Sequence, residues 1–550
     1  MEFDRSEVEE RGTEASMAHV IFGREYPEQV DAIVIGSGIG GLVCGNLLAR
    51  GGMKVLLLER HFMLGGYCSA FRRKGFIFDA ATHNYPLLGN PTTLTGKILR
   101  ELEIPTEWVK MDPLDRFHFP GLPTFAVPAD FSQYLEKLKS WFPEEAATVD
   151  RYFAEMRQAC LYGLLYYFKG VDNEQARRLE RYTITEKLDE HFRDPRIKAI
   201  LMADAPHWGS LANRTSYLFD AMLRFSYFLG SYYPRGGSQK FADDLGRALI
   251  AQGGKILKCA AVQQILVENG KAQGVRIRTV SKRFPQEYVF RAPVVVSNAD
   301  AVHTYRDLIG EEHCGRWMID YLKSLQPTYP CFLMHMGLRG ADAAALETAS
   351  GYHWSSYDLT DAIRNVFNIF VPTHYDPNVA PPGCQIIIIQ KTTPVRLEEI
   401  SDWAAHKAAV EQRLLERLRE ILPGIEDHIV VRLSASARTS YYYTNNWQGA
   451  RLGWEMSPGQ LGDARLPNAT PVENLYLTGH WTQPGGGITP VIISAQRVAR
   501  MILKGCLTAA DLAAQYFAFR SAAVTHHVER VPSEDSNEFW PHHPLSSSAK

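Results

Sequence analysis

Residues 31–59 run Asp-Ala-Ile-Val-Ile-Gly-Ser-Gly-Ile-Gly-Gly-Leu-Val-Cys-Gly-Asn-Leu-Leu-Ala-Arg-Gly-Gly-Met-Lys-Val-Leu-Leu-Leu-Glu. This stretch constrains the fold more than any other in the chain. The apolar run Ala32–Ile35 fits a buried parallel strand, a glycine turn and a helix follow, and a second apolar run, Val55–Leu58, closes on Glu59. Gly36 supplies the tight turn, Gly38 lets backbone approach a pyrophosphate, and Gly41 lets the helix pack close to the strand. Ser37, Ile39 and Gly40 complete the turn, and the helix N-terminus offers free N–H groups and the positive end of its dipole to phosphates. Glu59 stands about 20 residues on, where a carboxylate accepts the hydroxyl protons of an adenosine ribose. An acid there repels a 2′-phosphate, so the expected ligand is a dinucleotide other than NADP.

At 550 residues the chain is long enough for two or three domains with their own cores. Lysine plus arginine (59) nearly balances aspartate plus glutamate (61), so no global field draws the protein to nucleic acid. No apolar run approaches the ~20 residues that span a bilayer, and the first thirty residues are charged throughout. The expected location is therefore the cytoplasm. The eight cysteines, Cys44, Cys68, Cys160, Cys259, Cys314, Cys331, Cys384 and Cys506, form no C-x-x-C pair, which argues against a metal site or a disulfide framework. Cys68 follows Gly65-Gly66 and reads as a small residue packed near the cofactor.

Residues 1–28 read as a polar arm and 507–550 as a polar tail. The stretch 91–232 has helical periodicity and many aromatics, among them Tyr152, Phe153, Tyr166, Tyr167, Tyr217, Phe225, Tyr227 and Phe228, which suit either plain core or an apolar cavity. The turn Tyr233-Pro234-Arg235-Gly236-Gly237-Ser238 opens a helix over 239–251. Strands are expected over Ile256–Val267 and Ala272–Val280, joined by the hairpin signal Asn269-Gly270. Further strands are read over 292–299, 331–338, 385–390 and 429–433, and a helix over 398–421. Near the end, the strand Asn474–Thr478, the glycine-rich run Gly479 to Ile488 and the helix Val491–Leu503 form a second strand–turn–helix corner. No internal repeat is visible.

These motifs together resemble the flavin-dependent phytoene desaturase superfamily, which includes carotenoid isomerases and retinol saturases and shares its fold with the amine oxidases. The matching residues are Gly36–Gly41, Glu59 through Gly65-Gly66, Phe78-Asp79, Tyr233–Gly237, Val295–Asp300, Asn474–Gly479 and Pro484–Gly487. The resemblance implies an α/β fold: a Rossmann-like FAD-binding domain of the amine oxidase-like kind, with a discontinuous substrate domain of mixed sheet plus helices. The FAD-binding domain would comprise 29–90, 234–300 and 466–506, and the substrate and membrane-facing regions 91–233 and 301–465. Non-covalent FAD would be held by the first glycine turn, by Glu59 with Arg60 beside it, and by Gly65-Gly66 near the ribityl end. The backbone of Val262 would meet the adenine, and Gly479 and His480 the phosphates or ribityl chain. Gly486, Gly487 and Ile488 would turn backbone N–H groups toward the flavin pyrimidine, where they stabilise charge on reduction.

Hydride chemistry needs few catalytic side chains. His83 is a candidate acid/base or a histidine satisfied in its turn; His480, where relatives carry an acidic or small residue, either tunes the site or bonds to backbone. Trp481 is expected to line the pocket, and Glu455 and Arg438 are weaker candidates that also fit surface ion pairs. The expected substrate is a hydrophobic polyene or isoprenoid lipid whose carbon–carbon bonds are desaturated, saturated or isomerised, with the protein attached peripherally to a membrane. An amine oxidase and a flavin-free lipid escort of the same fold are the alternatives. The oligomeric state is not legible.

Overall fold

The structure is a computed structural model that describes residues 29–280, 285–358, 362–504 and Phe519. The expected arm over 1–28 lies outside the described residues, as does the tail over 507–550 apart from Phe519.

Strand β1 (Ala32–Ile35) and strand β2 (Val55–Leu58) are buried at every position, so both faces must be covered. Helix α1 (Ile39–Arg50) makes the crossover between them and they pair in parallel. Three further strands join, giving the parallel order Leu475–Leu477, Val294–Ser297, β1, β2, Lys255–Leu257. One face is covered by α1 and by helices Ser238–Ala251 and Ile488–Lys504, which interlock through Leu42, Leu48, Leu245, Leu249, Ile492 and Val498.

The expected strand Ile256–Val267 is two strands. Lys255–Leu257 completes the parallel sheet, Cys259 turns the chain with φ +55, and Ala260–Glu268 then starts a three-stranded antiparallel sheet. A left-handed residue cannot continue a strand, so the sheets part there. The hairpin to Lys271–Thr279 closes on Asn269-Gly270, both at positive φ, as its I′-type signal requires.

A seven-stranded mixed sheet runs Ile429–Ala435, Cys331–Arg339, Cys384–Thr392, Val366–Phe370, Gly351–Trp354, Asp115–His118, Phe125–Val127. Its last two strands correct the helical reading of 91–232: at four and three residues they are too short for periodicity to reveal. Helices Phe131–Trp141, Ala146–Gly163, Ile184–His191 and Tyr217–Phe228 cover this edge. Phe117, Phe125 and Trp354 of the sheet share one core with Tyr152, Phe153 and Tyr217 of the helices. The helix expected over 398–421 begins at Trp403, where the Asp402 side chain accepts the N–H groups of Ala404 and Ala405. Among the described residues no helix is long and apolar enough to cross a membrane.

Candidate functional site

The carboxyl ends of β1 and of its neighbour Val294–Ser297 bring three glycine stretches together. Gly36 leaves β1 at φ +91, and a Cβ on Gly41 would stand 2.1 Å from the Gly36 carbonyl oxygen, so α1 lies against the turn at a distance only glycine permits. A Cβ on Gly40 would come 3.1 Å from the Cα of Gly479, and one on Gly66 3.4 Å from the Cα of Gly38. Gly65 bonds through its N–H to the Ser37 carbonyl at 3.0 Å. Gly38 caps α1 without a side-chain partner, which leaves the first-turn N–H groups to a ligand, and Ile39 opens that turn.

Glu59 is buried at the end of β2, and the chain itself already holds it. Its Oε2 accepts from the Ser37 N–H at 2.8 Å and the Ser37 hydroxyl at 2.6 Å, and its Oε1 from the His61 N–H at 2.7 Å. A carboxylate offers about four lone-pair sites, so a ribose diol engages both oxygens only when the Ser37 hydroxyl turns away. Arg60 points out, with one long hydrogen bond to the Tyr442 carbonyl at 3.4 Å. Val262 is buried early in the strand that leaves Glu59, where the Ala260 N–H bonds the Glu59 carbonyl at 2.8 Å.

The second glycine corner is held by a residue that sequence reasoning missed. Arg465 is fully buried with no carboxylate partner among the described residues; it gives Nη2 to the His480 carbonyl at 2.7 Å and Nε to the Thr482 carbonyl at 3.2 Å, and also reaches the carbonyls of Trp454 and Gln460. Burial lowers its pKa to about 10, so it remains charged at neutral pH. This cation fastens the run from Trp454 to Thr482 under the glycines. Gly453 backs onto His480, and a Cβ on Gly486 would stand 2.2 Å from the Leu452 carbonyl oxygen. Gly487 sits at φ +102 and Ile488 begins the last helix, so the N–H groups of Gly486 to Ile488 lie at a helix start. Burial first, then Arg465, pull the His480 pKa down to about 3. Trp481, expected in the pocket, is core instead: its indole lies 4.7 Å from Trp454 and donates to Asn446 Oδ1 at 3.1 Å. Glu455 is likewise not a surface group; it is buried and paired with Arg214 at 2.7 Å. Arg438 is exposed.

His83 is placed by two of the motifs. Asp79 ends its strand by accepting the Ser238 N–H and the Tyr233 hydroxyl, both at 2.7 Å, so Phe78-Asp79 and the Tyr233–Gly237 turn lock together. Thr489, in the first turn of the last helix, donates to the Pro86 carbonyl at 3.0 Å and brings that helix to the His83 loop. Gln390 bridges His83 and Arg451: its Oε1 accepts from Arg451 Nη2 at 3.0 Å and its Nε2 reaches His83 Nδ1 at 2.7 Å. With the guanidinium fixing the amide, Nδ1 is an acceptor and His83 carries its proton on Nε2. Burial, and secondarily Arg451, lower His83 to about 3, and the same causes hold His207, 5.4 Å away, well below its usual range. Both imidazoles are neutral at physiological pH. Cys68 is buried and its thiol pushed up to about 11, which makes it unreactive.

His83 and His207 form one wall of a cavity between the seven-stranded sheet and the helical layer. Leu114, Phe117, Val127, Tyr227, Phe228 and Tyr352 supply much of the remaining lining. The aromatic helices thus serve both purposes: Tyr152, Phe153 and Tyr217 are core, and Tyr227 and Phe228 face the cavity. Gln390, Arg451 and His207 are separated from His83 by more than a hundred residues each, and no local pattern announces them. Asn298 had a signal, since it ends a strand beside β1 where open parallel sheets bind ligands. A Cβ on Gly36, Gly38, Gly40, Gly41 or Gly479 would contact its side chain or backbone.

The glycine cradle and the helix N-terminus above it fit a dinucleotide, and comparison with known proteins shows which one. The profile of the family described as flavin containing amine oxidoreductase matches residues 39–503. The chain belongs to that family. This oxidoreductase uses FAD. It is 27% identical over 511 residues to an all-trans-retinol 13,14-reductase of Rattus norvegicus, with 82% of each chain covered. It is 26% identical to prolycopene isomerase 1, chloroplastic, of an Oncidium hybrid cultivar, covering 87% of this chain and 84% of that one. It is 25% identical to a neurosporene-forming phytoene desaturase of Cereibacter sphaeroides, covering 86% and 94%. Among solved structures, an oxidoreductase from Methanosarcina mazei superposes with TM-score 0.61 at 19% identity, covering 85% of this chain and 99% of that one, which shows the shared fold.

Proposed function

We propose that this FAD enzyme acts on the carbon–carbon bonds of a hydrophobic polyene or isoprenoid lipid, as a desaturase, saturase or isomerase. The observation that carries the reading is the aromatic-walled cavity bounded by the neutral His83 and His207. Burying a polyene there contributes roughly 25 cal/mol per Å² of apolar surface. The relatives named for reactions on retinol, prolycopene and phytoene support the same substrate class. FAD, when bound, supplies hydride acceptance and donation.

The chain's own residues do the rest. Gly36, Ser37, Gly38, Ile39, Gly40 and Gly41 hold the pyrophosphate at the start of α1, and Glu59 takes the adenosine ribose with Arg60 and Val262 nearby. Gly65, Gly66 and Gly479 leave room for the ribityl chain, and Gly486, Gly487 and Ile488 offer N–H donors to the ring. The stretches 29–90, 234–300 and 466–506 form the FAD unit, and 91–233 and 301–465 the substrate side. His83 gives a hydrogen bond from Nε2 without exchanging a full charge, and His480 orders the glycine corner.

Entry of a lipid calls for a membrane-facing surface. On the turn that ends helix Ala146–Gly163, Leu161, Leu164 and Val171 are exposed beside Lys169, and this segment is the proposed contact with one bilayer face. The deciding experiment is anaerobic mixing of the FAD-loaded protein with all-trans-retinol, phytoene and prolycopene. A flavin absorbance change or an isomerised product with at least one supports the reading. Silence with all three, together with peroxide formed from soluble amines, establishes the amine oxidase alternative, and a purified protein that takes up no flavin establishes the lipid escort.

A further inference from the structure

One part of the cavity wall carries polar groups that a hydrocarbon leaves unsatisfied. Arg224, on helix Tyr217–Phe228, gives Nη2 to Asp204 and to Asp220, both at 3.1 Å. It is 5% exposed, lines the cavity, and its Nε–H has no partner among the described residues. Among the described residues, Ser231, wholly buried in the same lining, has no partner for its hydroxyl, and Asn84 has none for its Oδ1. Asp115 lines the cavity as well, takes the Arg116 N–H at 2.9 Å, and makes no ion pair among the described residues. Burial, and then the Asp204 carboxylate, push Asp115 up to about 8, so at neutral pH it keeps a proton to donate.

We propose that this wall binds an oxygen at the end of the substrate, so that the ligand class is a polyene ending in a hydroxyl group rather than a pure hydrocarbon. The inference rests on the polyene reading above. Arg224 Nε–H can only donate, Asn84 Oδ1 can only accept, and the Ser231 hydroxyl and the Asp115 carboxyl can do either, so the group that satisfies this wall must both accept and donate. A terminal hydroxyl accepts from Arg224 and returns its own proton to Asn84. A methyl terminus would bury the Arg224 N–H unpaired, and an ammonium, which only donates, would leave that N–H unpaired as well.

The test titrates the FAD-loaded full chain with all-trans-retinol, with the hydrocarbon in which hydrogen replaces the hydroxyl, and with the corresponding primary amine, following quenching of protein fluorescence. Retinol is expected to bind about tenfold or more tighter than either analogue. Asp115→Leu is expected to erase the preference while hydrocarbon binding stays within about twofold, and Ser231→Ala to reduce it. Flavin content reports folding; should Asp115→Leu lose flavin, Ser231→Ala decides, and an undiminished preference there overturns the proposal. Equal or tighter binding of the hydrocarbon overturns this inference and leaves the polyene reading standing. Tightest binding of the amine overturns it in favour of a cation, and quenching by none of the three brings down the polyene reading together with it.

Discussion

Gly41 has room for a hydrogen and nothing larger. A methyl group there would overlap the Gly36 carbonyl, so Gly41→Ala is expected to push α1 off the turn. The purified variant should carry less than about a tenth of the wild-type flavin, read from its visible absorbance, since a loss of about 1.4 kcal/mol in binding is already tenfold. His83 makes a different kind of prediction. Because its ring is held at about 3, its protonation adds no limb to the rate profile between pH 5 and 8. His83→Phe, which keeps the ring and removes the Nε2–H, is expected to lower kcat/KM by about a hundredfold with flavin content unchanged. Steady-state rates across that pH range check both statements. The glycines could be placed from sequence because strand, turn, helix and acid are contiguous. The partners of His83 could not: Gln390 and Arg451 meet it only through pairing of distant strands and loops.

At the level of elements, the stretch from Trp454 to Thr482 has little regular structure and depends on Arg465. Arg465→Met would leave several buried carbonyls without donors, each costing about 1–3 kcal/mol. The expected outcome is a loss of at least about 3 kcal/mol by urea unfolding, together with loss of flavin. The segment around Leu161 to Val171 is separable from the cofactor. Replacing Leu161 and Val171 by aspartate should abolish co-sedimentation with phosphatidylcholine–phosphatidylglycerol vesicles and leave flavin absorbance intact. Short strands were the elements that sequence reading lost, because Asp115–His118 and Phe125–Val127 hold too few residues to alternate visibly. Long ones such as Cys331–Arg339 were read nearly to their ends.

Across the whole molecule, burial of acids couples stability to pH. Asp115 holds its proton up to about 8, whereas in the unfolded chain it releases it near 3.8, so the stabilisation is complete below about pH 4 and is lost as pH rises through 8. Asp220 and Asp300, each pushed up to about 6 chiefly by burial, act in the same direction over a lower range. The buried neutral histidines act in the opposite direction below about pH 6.5, so urea midpoints should fall between about pH 7 and 8, and Asp115→Asn should flatten that fall. The nucleotide fold was legible because its motifs are local, and the cavity was not, because its lining is gathered from separate short stretches around His83, Leu114 to Tyr134, Asp204 to Ser231 and Tyr352. The parallel sheet has one more consequence. Its edge strand, Leu475–Leu477, and the helix that clamps α1 are made after more than four-fifths of the polypeptide. A ribosome-bound nascent chain that has already emitted β1 and α1 thus waits for residues 475–504 before the coenzyme can be captured. A chain stopped at residue 470 should emerge colourless.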